Sequence, residues 1–70
     1  MRRERVESTS IRSMGYDRGS ATLEVEYAGG GVYRYLAVPA ATWERLCAAD
    51  SKGRFVNGVV KPYHRFVRVP

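Results

Sequence analysis

The chain has 70 residues, 44% of them apolar, with 12 basic and 7 acidic side chains and a net charge of +5. This length allows one small domain, the single cysteine excludes an internal disulfide, and the one histidine excludes a metal site of closely spaced ligands. No apolar run approaches the ~18 residues of a membrane span and none follows the charged start, so we expect a cytoplasmic protein with no membrane contact and no cofactor.

The positive charge is unevenly distributed along the chain. Residues 1–50 contain seven basic and seven acidic side chains, whereas residues 51–70 contain five basic ones and no acid. A local excess of positive charge attracts polyanions, so nucleic acid is the first class of partner to consider. The basic residues of this C-terminal segment are Lys52, Arg54, Lys61, Arg65 and Arg68.

The first half of the chain predicts three strands. They cover residues 10–16, 22–27 and 32–38, with turn residues at 17–20 and a glycine run at 29–31 between them. A loop formed by the three glycines places Tyr27 opposite Tyr33, and Glu26 opposite Arg34 as a cross-strand charge pair. One face, which we expect to be buried, then carries Leu23, Val25, Tyr27, Tyr33 and Tyr35.

The second half predicts two short helices. Pro39 suits a helix start, and Trp43, Leu46 and Cys47 recur at helical spacing within residues 40–50, so we expect Cys47 to be a small core residue. After an interruption at residues 51–53, a second helix ends at Pro62, and residues 64–69 form a closing strand or a tail. The apolar residues of the second helix are Phe55, Val56, Val59 and Val60.

Together these elements predict an α+β domain. We expect an antiparallel sheet of three or four strands with two short helices packed on one face, in the order β-β-β-α-α with or without a final β. The domain covers residues 9–69, and residues 1–8 are a charged, flexible lead-in. The oligomeric state is a monomer or a homodimer.

Several segments, in this order and spacing, resemble one known family. They are Ser10-Ile11, Gly15-Tyr16-Asp17, Leu23-Glu24-Val25-Glu26-Tyr27, Val32-Tyr33-Arg34-Tyr35, Val38-Pro39, Ser51-Lys52-Gly53-Arg54-Phe55-Val56-Asn57 and Tyr63. Over about residues 8–69 the chain is similar to the KTSC domain, which is named for the C-terminus of some lysyl-tRNA synthetases and also occurs as small bacterial and phage proteins. The resemblance implies no established activity, and only its synthetase context suggests RNA binding.

The junction between the two predicted helices is a candidate anion site. Free amides at a helix N-terminus and the small Gly53 allow an anion to approach, with Ser51, Lys52 and Arg54 around it. The alternative is a tight helical junction in which Ser51 is only a cap. Lys61, Arg65 and Arg68 extend the site if the C-terminal segment folds alongside the second helix; otherwise they form a solvated basic tail.

Two functions are compatible with this sequence. The first is a non-catalytic module that binds the phosphate backbone of nucleic acid, RNA in preference to DNA, through the five C-terminal basic residues. The second is a protein–protein interaction module, a small adaptor or modulator with no role on nucleic acid. Tyr33 and Tyr35 are either core residues or a base-stacking surface. No convergent acid or second histidine would activate Cys47 or His64, so we do not expect an enzyme.

Overall fold

A five-stranded antiparallel sheet carries two helices on one face in the computed structural model, which describes residues 1–70. The strands lie in sequence order across the sheet and comprise β1 (Glu4–Arg5), β2 (Ile11–Asp17), β3 (Thr22–Tyr27), β4 (Val32–Tyr35) and β5 (Phe66–Val69). Helix α1 covers Ala40–Ala48, and helix α2 covers Lys52–Phe55 and continues as a π-helical turn over Val56–Val60. The predicted α+β class is confirmed, with one strand more than the upper expectation.

The core lies between the sheet and the helices. Alternate residues of β3 and β4 face inward because successive side chains of a strand point to opposite faces. In β2 an irregularity between Ile11 and Ser13 shifts the register, so that Ile11 and Met14 both face inward. Leu46 of α1 and Val56 and Val60 of the second helix close the other side. The nine buried apolar residues are Ile11, Met14, Leu23, Val25, Tyr35, Val38, Leu46, Val56 and Val60. Neither helix has the length or the apolar composition to cross a bilayer.

The β3–β4 hairpin has a register two residues away from the predicted one. Glu24 lies opposite Arg34 and Glu26 opposite Val32, so the expected Glu26–Arg34 pair is wrong. The reason is that Gly31 belongs to the ladder: Tyr27 N donates to Gly31 O at 3.1 Å, and the loop comprises residues 28–30. A shift of two residues keeps every side chain on its face, so the predicted inward set is unchanged.

The N-terminal segment adds a strand where we expected a flexible lead-in. Glu4 pairs with Met14 and Arg5 with Ser13, which makes β1 one edge of the sheet. Gly15 permits this approach, because a Cβ atom there would lie 2.2 Å from the carbonyl oxygen of Arg2. Short strands without alternation give little sequence signal, so the lead-in was indistinguishable from a frayed end.

The outer face of the sheet contains a buried carboxylate. Glu24 is 3% exposed, its Oε1 accepts from Arg34 Nε at 2.7 Å, and its other oxygen pairs with Arg3. Burial opposes ionisation of this carboxyl, but the hydrogen bonds from Arg34 and Arg3 outweigh it and lower the pKa of Glu24. Arg3 therefore ties the N-terminal segment to β3 through Glu24 and to β2 through Ser13, and Glu24 is buried although it lies on the face opposite the inward set.

Candidate nucleic-acid interface

Four aromatic rings from three neighbouring strands meet on the inner face of the sheet. We call Tyr27, Tyr33, Tyr35 and Phe66 the aromatic cluster. Pairing of β4 with β5 places Phe66 opposite Tyr35, and the Tyr33 ring lies 5.5 Å from both the Tyr27 and Phe66 rings, centroid to centroid. The rings meet at 74° and 60°, within the edge-to-face range that aromatic pairs favour.

The aromatic cluster is buried at one end and open at the other. Tyr35 is 1% exposed and Tyr33 is half-buried, whereas Phe66 is 57% exposed. No residue of β5 is buried, so the helices leave this strand uncovered and the sheet extends beyond them. The open end forms part of a groove of about 320 Å³ that also includes Gly30 and Lys61. The cluster therefore combines a core tyrosine with accessible aromatic surface.

Two cations flank these rings. Lys61 Nζ lies 5.8 Å from the centroid of Tyr27, and the guanidinium carbon of Arg68 lies 5.8 Å from the centroid of Tyr33. Both distances fall within the ~6 Å range of cation–π attraction. Lys61 follows the π-helical turn directly, and Arg68 lies opposite Tyr33 in the β4–β5 ladder. Positive charge and partly exposed aromatic rings thus share one surface.

The two innermost tyrosines are fixed by a hydrogen bond between their hydroxyls. Tyr27 Oη and Tyr35 Oη lie 2.6 Å apart. Burial, reinforced by Tyr35, raises the pKa of the Tyr27 hydroxyl, and burial also raises the pKa of Tyr35. Both hydroxyls therefore stay protonated at neutral pH, and they support the cluster rather than supply a base.

The structure brings Lys61 and Arg68 to one surface but places Lys52 elsewhere. Lys52 lines a groove with Glu4 and Arg5 of β1, whereas Arg68 is on β5, at the opposite edge of the sheet. Five strands about 4.8 Å apart put these edges about 19 Å from each other. Lys52 Nζ donates to the carbonyls of Cys47 and Ala49 at 3.0 and 2.7 Å, at the C-terminus of α1.

The remaining C-terminal cations are exposed. The Arg54 and Arg65 side chains form no hydrogen bond or ion pair within the chain. The carbonyl of Arg65 accepts from Leu36 N at 2.8 Å, which extends the β4–β5 pairing by one bond. The closing segment is thus a paired strand rather than a tail, and Arg65 enters it next to the aromatic cluster.

Ser51 and Gly53 have local partners at the helical junction. Ser51 Oγ accepts from Arg54 N at 3.3 Å, which is the N-cap geometry. Gly53 is buried, and a Cβ there would lie 2.2 Å from Ser10 Oγ. The space above Gly53, which the sequence suggested for an anion, is therefore occupied by the segment leading into β2.

Cys47 does not lie where the sequence placed it. Cys47 is exposed, so its predicted position in the core is wrong. Leu46 takes the inward position of α1, and Trp43 stacks on Tyr16 with centroids 5.5 Å apart. Partial burial of the sulfur nonetheless raises the pKa of the Cys47 thiol, which disfavours the nucleophilic thiolate.

His64 forms a hydrogen bond with the backbone. Its Nδ1 lies 3.0 Å from the carbonyl oxygen of Leu36, and because a carbonyl can only accept, this nitrogen carries the proton.

Phe66 is the residue of the aromatic cluster that sequence reasoning missed. The sequence predicts a closing strand that contains Phe66, but it does not predict that this strand pairs with β4. The pairing with β4 decides which rings Phe66 contacts. The available signal was the alternation of Phe66 and Arg68 with two valines, which places the ring and the guanidinium on one face.

Comparison with known proteins yields a consistent set of relatives. The KTSC domain profile matches residues 7–66. An uncharacterized protein of Stutzerimonas stutzeri is 47% identical over 70 residues, covering 99% of each chain. A lysine–tRNA ligase of Nostoc punctiforme is 35% identical over 60 residues, which are 86% of this chain but 11% of that protein.

A solved structure agrees with these sequence relatives. The crystal structure of a KTSC domain protein from Yersinia pestis superposes with a TM-score of 0.95 at 36% identity, covering 99% of this chain and 97% of that one. Both the fold and the order of the matched residues therefore agree with the resemblance seen in the sequence. The chain belongs to the KTSC domain family.

Proposed function

We propose that this protein is a non-catalytic nucleic-acid-binding domain, with RNA preferred over DNA, whose central contacts are Lys61 and Arg68. The observation that carries the proposal is the joint position of these two cations beside accessible aromatic rings. Phosphate contacts by Lys and Arg supply most of the affinity of such domains, and base-facing aromatics add to it.

The distribution of ion pairs supports this proposal. The three salt bridges of the protein use Arg3, Arg18 and Arg34, all from the first half of the chain. The C-terminal cations are therefore not neutralised by carboxylates of the same chain. Charges in this state are available to phosphate groups without first breaking an internal pair.

The relatives favour RNA over DNA. Matching segments lie within three proteins named lysine–tRNA ligase, the Nostoc punctiforme protein among them. A domain carried by an enzyme named for tRNA is in a position to contact RNA. The ligases' own activity is not part of the proposal, because this chain spans only about a tenth of their length.

Fluorescence anisotropy with a labelled single-stranded RNA, titrated at several salt concentrations, tests the proposal. We expect the Lys61→Glu/Arg68→Glu double variant to bind more weakly and to lower the slope of log K against log salt by roughly 1.4, about 0.7 for each lost phosphate contact. Both side chains are exposed, so the variant should fold.

A second double variant controls for overall charge. Arg2→Glu/Arg18→Glu changes the net charge by the same amount, and Arg18 lies in the β2–β3 turn, at the other end of the strands from the β3–β4 loop. This variant should retain most of the affinity and the full slope. Equal loss in both variants would mean that net charge alone attracts RNA, and no binding of the wild type at low salt would refute the proposal.

A protein partner is the second candidate, and the β5 edge favours it. This edge strand exposes Phe66 and Val67, at 57% and 52%, and its outer backbone groups have no neighbouring strand. An extended segment of another protein can add to such an edge. Absence of RNA binding, together with slowed amide exchange of β5 in the presence of a partner, would favour this function instead.

A further inference from the structure

We infer that the aromatic cluster is a stacking site for unpaired bases, so that the protein selects single-stranded over double-stranded RNA. This inference rests on the proposed function and specifies its ligand. The proposed phosphate contacts through Lys61 and Arg68 do not by themselves distinguish one strand from two. The exposed ring of Phe66 in the aromatic cluster does, because only an unpaired base can offer its face to a side chain.

The position of Phe66 is the first argument. A side chain on the inner face of a sheet normally contributes to the core, yet Phe66 keeps 57% of its surface in contact with solvent. Its buried portion is held by the rings of Tyr33 and Tyr35, at 5.5 and 6.1 Å between centroids. The Phe66 ring is therefore held by the two tyrosines while more than half of its surface remains exposed to solvent. A base could stack on it without any movement of the core.

The arrangement of charge is the second argument. Along the surface Lys61, Tyr27, Tyr33 and Arg68 follow one another, with 5.8 Å from cation to ring at each end and 5.5 Å between the two rings. Phe66 packs on Tyr33 beside this row, with 5.5 Å between the ring centroids, so a strand that stacks a base on Phe66 has cations within reach of its phosphates. Aromatic rings beside basic groups are the usual design of surfaces that bind single strands without sequence preference.

The surface also lacks the carboxylates that would repel a strand. Glu24 and Glu26 lie on the opposite face of the sheet, where Glu24 pairs with Arg3 and Arg34, and Glu26 accepts from Ser13 Oγ at 2.8 Å. The groove beside Phe66 is lined by tyrosines, Gly30 and Lys61. The outer face of the sheet, in contrast, offers phosphate a mixed surface of arginines and glutamates.

The test compares three probes on the same protein. They are a ten-nucleotide single-stranded RNA, the same strand annealed to its complement, and inorganic polyphosphate of matched charge, which carries no bases. We expect the single strand to bind more tightly than the other two at equal salt. Phe66→Leu, which keeps an apolar side chain but removes the π-face, should weaken single-strand binding roughly tenfold and leave polyphosphate binding unchanged.

The outcomes separate this inference from the proposed function. Single-strand affinity unchanged in Phe66→Leu, or a duplex bound as tightly as the single strand, would overturn base stacking while leaving phosphate binding intact. Absence of RNA binding in the wild type at low salt would overturn the proposed function itself. A direct readout is the upfield shift of the Phe66 ring protons that a stacked base produces in NMR spectra of the wild-type protein.

Discussion

Gly15 and Gly53 are both close-approach glycines, but what lies opposite each of them differs. A Cβ at Gly15 would meet the backbone carbonyl of Arg2, which cannot move without displacing β1. A Cβ at Gly53 would meet the hydroxyl of Ser10, which can rotate away. The Cβ of Ser10 would then lie 3.5 Å from the added atom, which is an ordinary van der Waals contact. The two glycines should therefore respond differently to the same substitution.

We predict that Gly15→Ala lowers the free energy of unfolding by about 1–3 kcal/mol, the usual cost of overpacking. Gly53→Ala should change it by less than about 1 kcal/mol, because alanine is favoured over glycine in a helix by nearly that amount. Urea unfolding followed by circular dichroism measures both. A larger loss for Gly53→Ala would show that the segment around Ser10 is more rigid than β1.

Glu24 should make the free energy of unfolding depend on pH in the acidic range. Its pKa is lower in the folded chain than the ordinary value of 4.5, so the folded state binds fewer protons than the unfolded state in that range. The stabilisation is therefore complete above about pH 5 and is lost as the pH falls from 4.5 through the folded pKa. We expect wild-type stability to fall more steeply below pH 5 than that of Glu24→Gln.

At neutral pH, Glu24→Gln should cost about 1.5–3 kcal/mol, because a buried acceptor of two charged hydrogen bonds becomes neutral. Glu26→Gln is the matched control on the same face, since its partner Ser13 is uncharged, and about 1 kcal/mol or less is expected. Chemical unfolding at pH 7 and at pH 3.5 gives both comparisons. Parallel pH profiles for Glu24→Gln and wild type would contradict this account of Glu24.

At the scale of elements, Lys52 acts on helix α1. Its ammonium reaches the carbonyls of Cys47 and Ala49, where the C-terminal end of the helix dipole attracts a cation. Lys52→Met keeps the aliphatic stem and removes the charge, so we expect a loss of about 0.5–1 kcal/mol in urea unfolding. Arg54→Met, on the same helix with no side-chain partner, should leave the stability unchanged. A smaller effect at Lys52 than at Arg54 would contradict this capping role.

The strands and their faces could be predicted because alternation in β3 and β4 is local. The exact hairpin register could not, because residues 28–30 and residues 29–31 can each form a three-residue loop and both choices keep the same face inward. Strand β1 could not be predicted because its only signal in the sequence is Gly15. The reason for a glycine at this position is seen only in the folded chain, where the carbonyl of Arg2 leaves no room for a Cβ atom.

For the candidate site, the sequence identified the basic residues but not their grouping. Lys61 and Arg68 come together only because β5 pairs with β4, a contact between segments more than thirty residues apart. Lys52 is separated from them for the same reason, since β1 and β5 are opposite edges. Charge composition gives candidates, and the order of strands decides which of them share a surface.

At the scale of the whole molecule, a small core limits the free energy of unfolding. Only 14 of the 70 residues are buried, so a ligand that binds the folded chain should change its apparent stability measurably. The unfolded chain has the same net charge as the folded one, so attraction of RNA by net charge alone would act on both states. Stabilisation by RNA would therefore report the folded arrangement of Lys61, Arg68 and the aromatic cluster rather than charge alone.

We predict that single-stranded RNA at 100 times its dissociation constant raises the melting temperature. The ideal gain is about 2.7 kcal/mol, reduced by whatever binds the unfolded chain. At about 4–8 °C per kcal/mol for a domain of this size, the ideal shift is on the order of 10–20 °C. Differential scanning fluorimetry measures it, with Lys61→Glu/Arg68→Glu at the same RNA concentration as the control. Equal shifts in the two proteins would mean that RNA stabilises the folded chain through residues other than Lys61 and Arg68. No shift in the wild type would mean that RNA does not distinguish the folded surface from a charged unfolded chain.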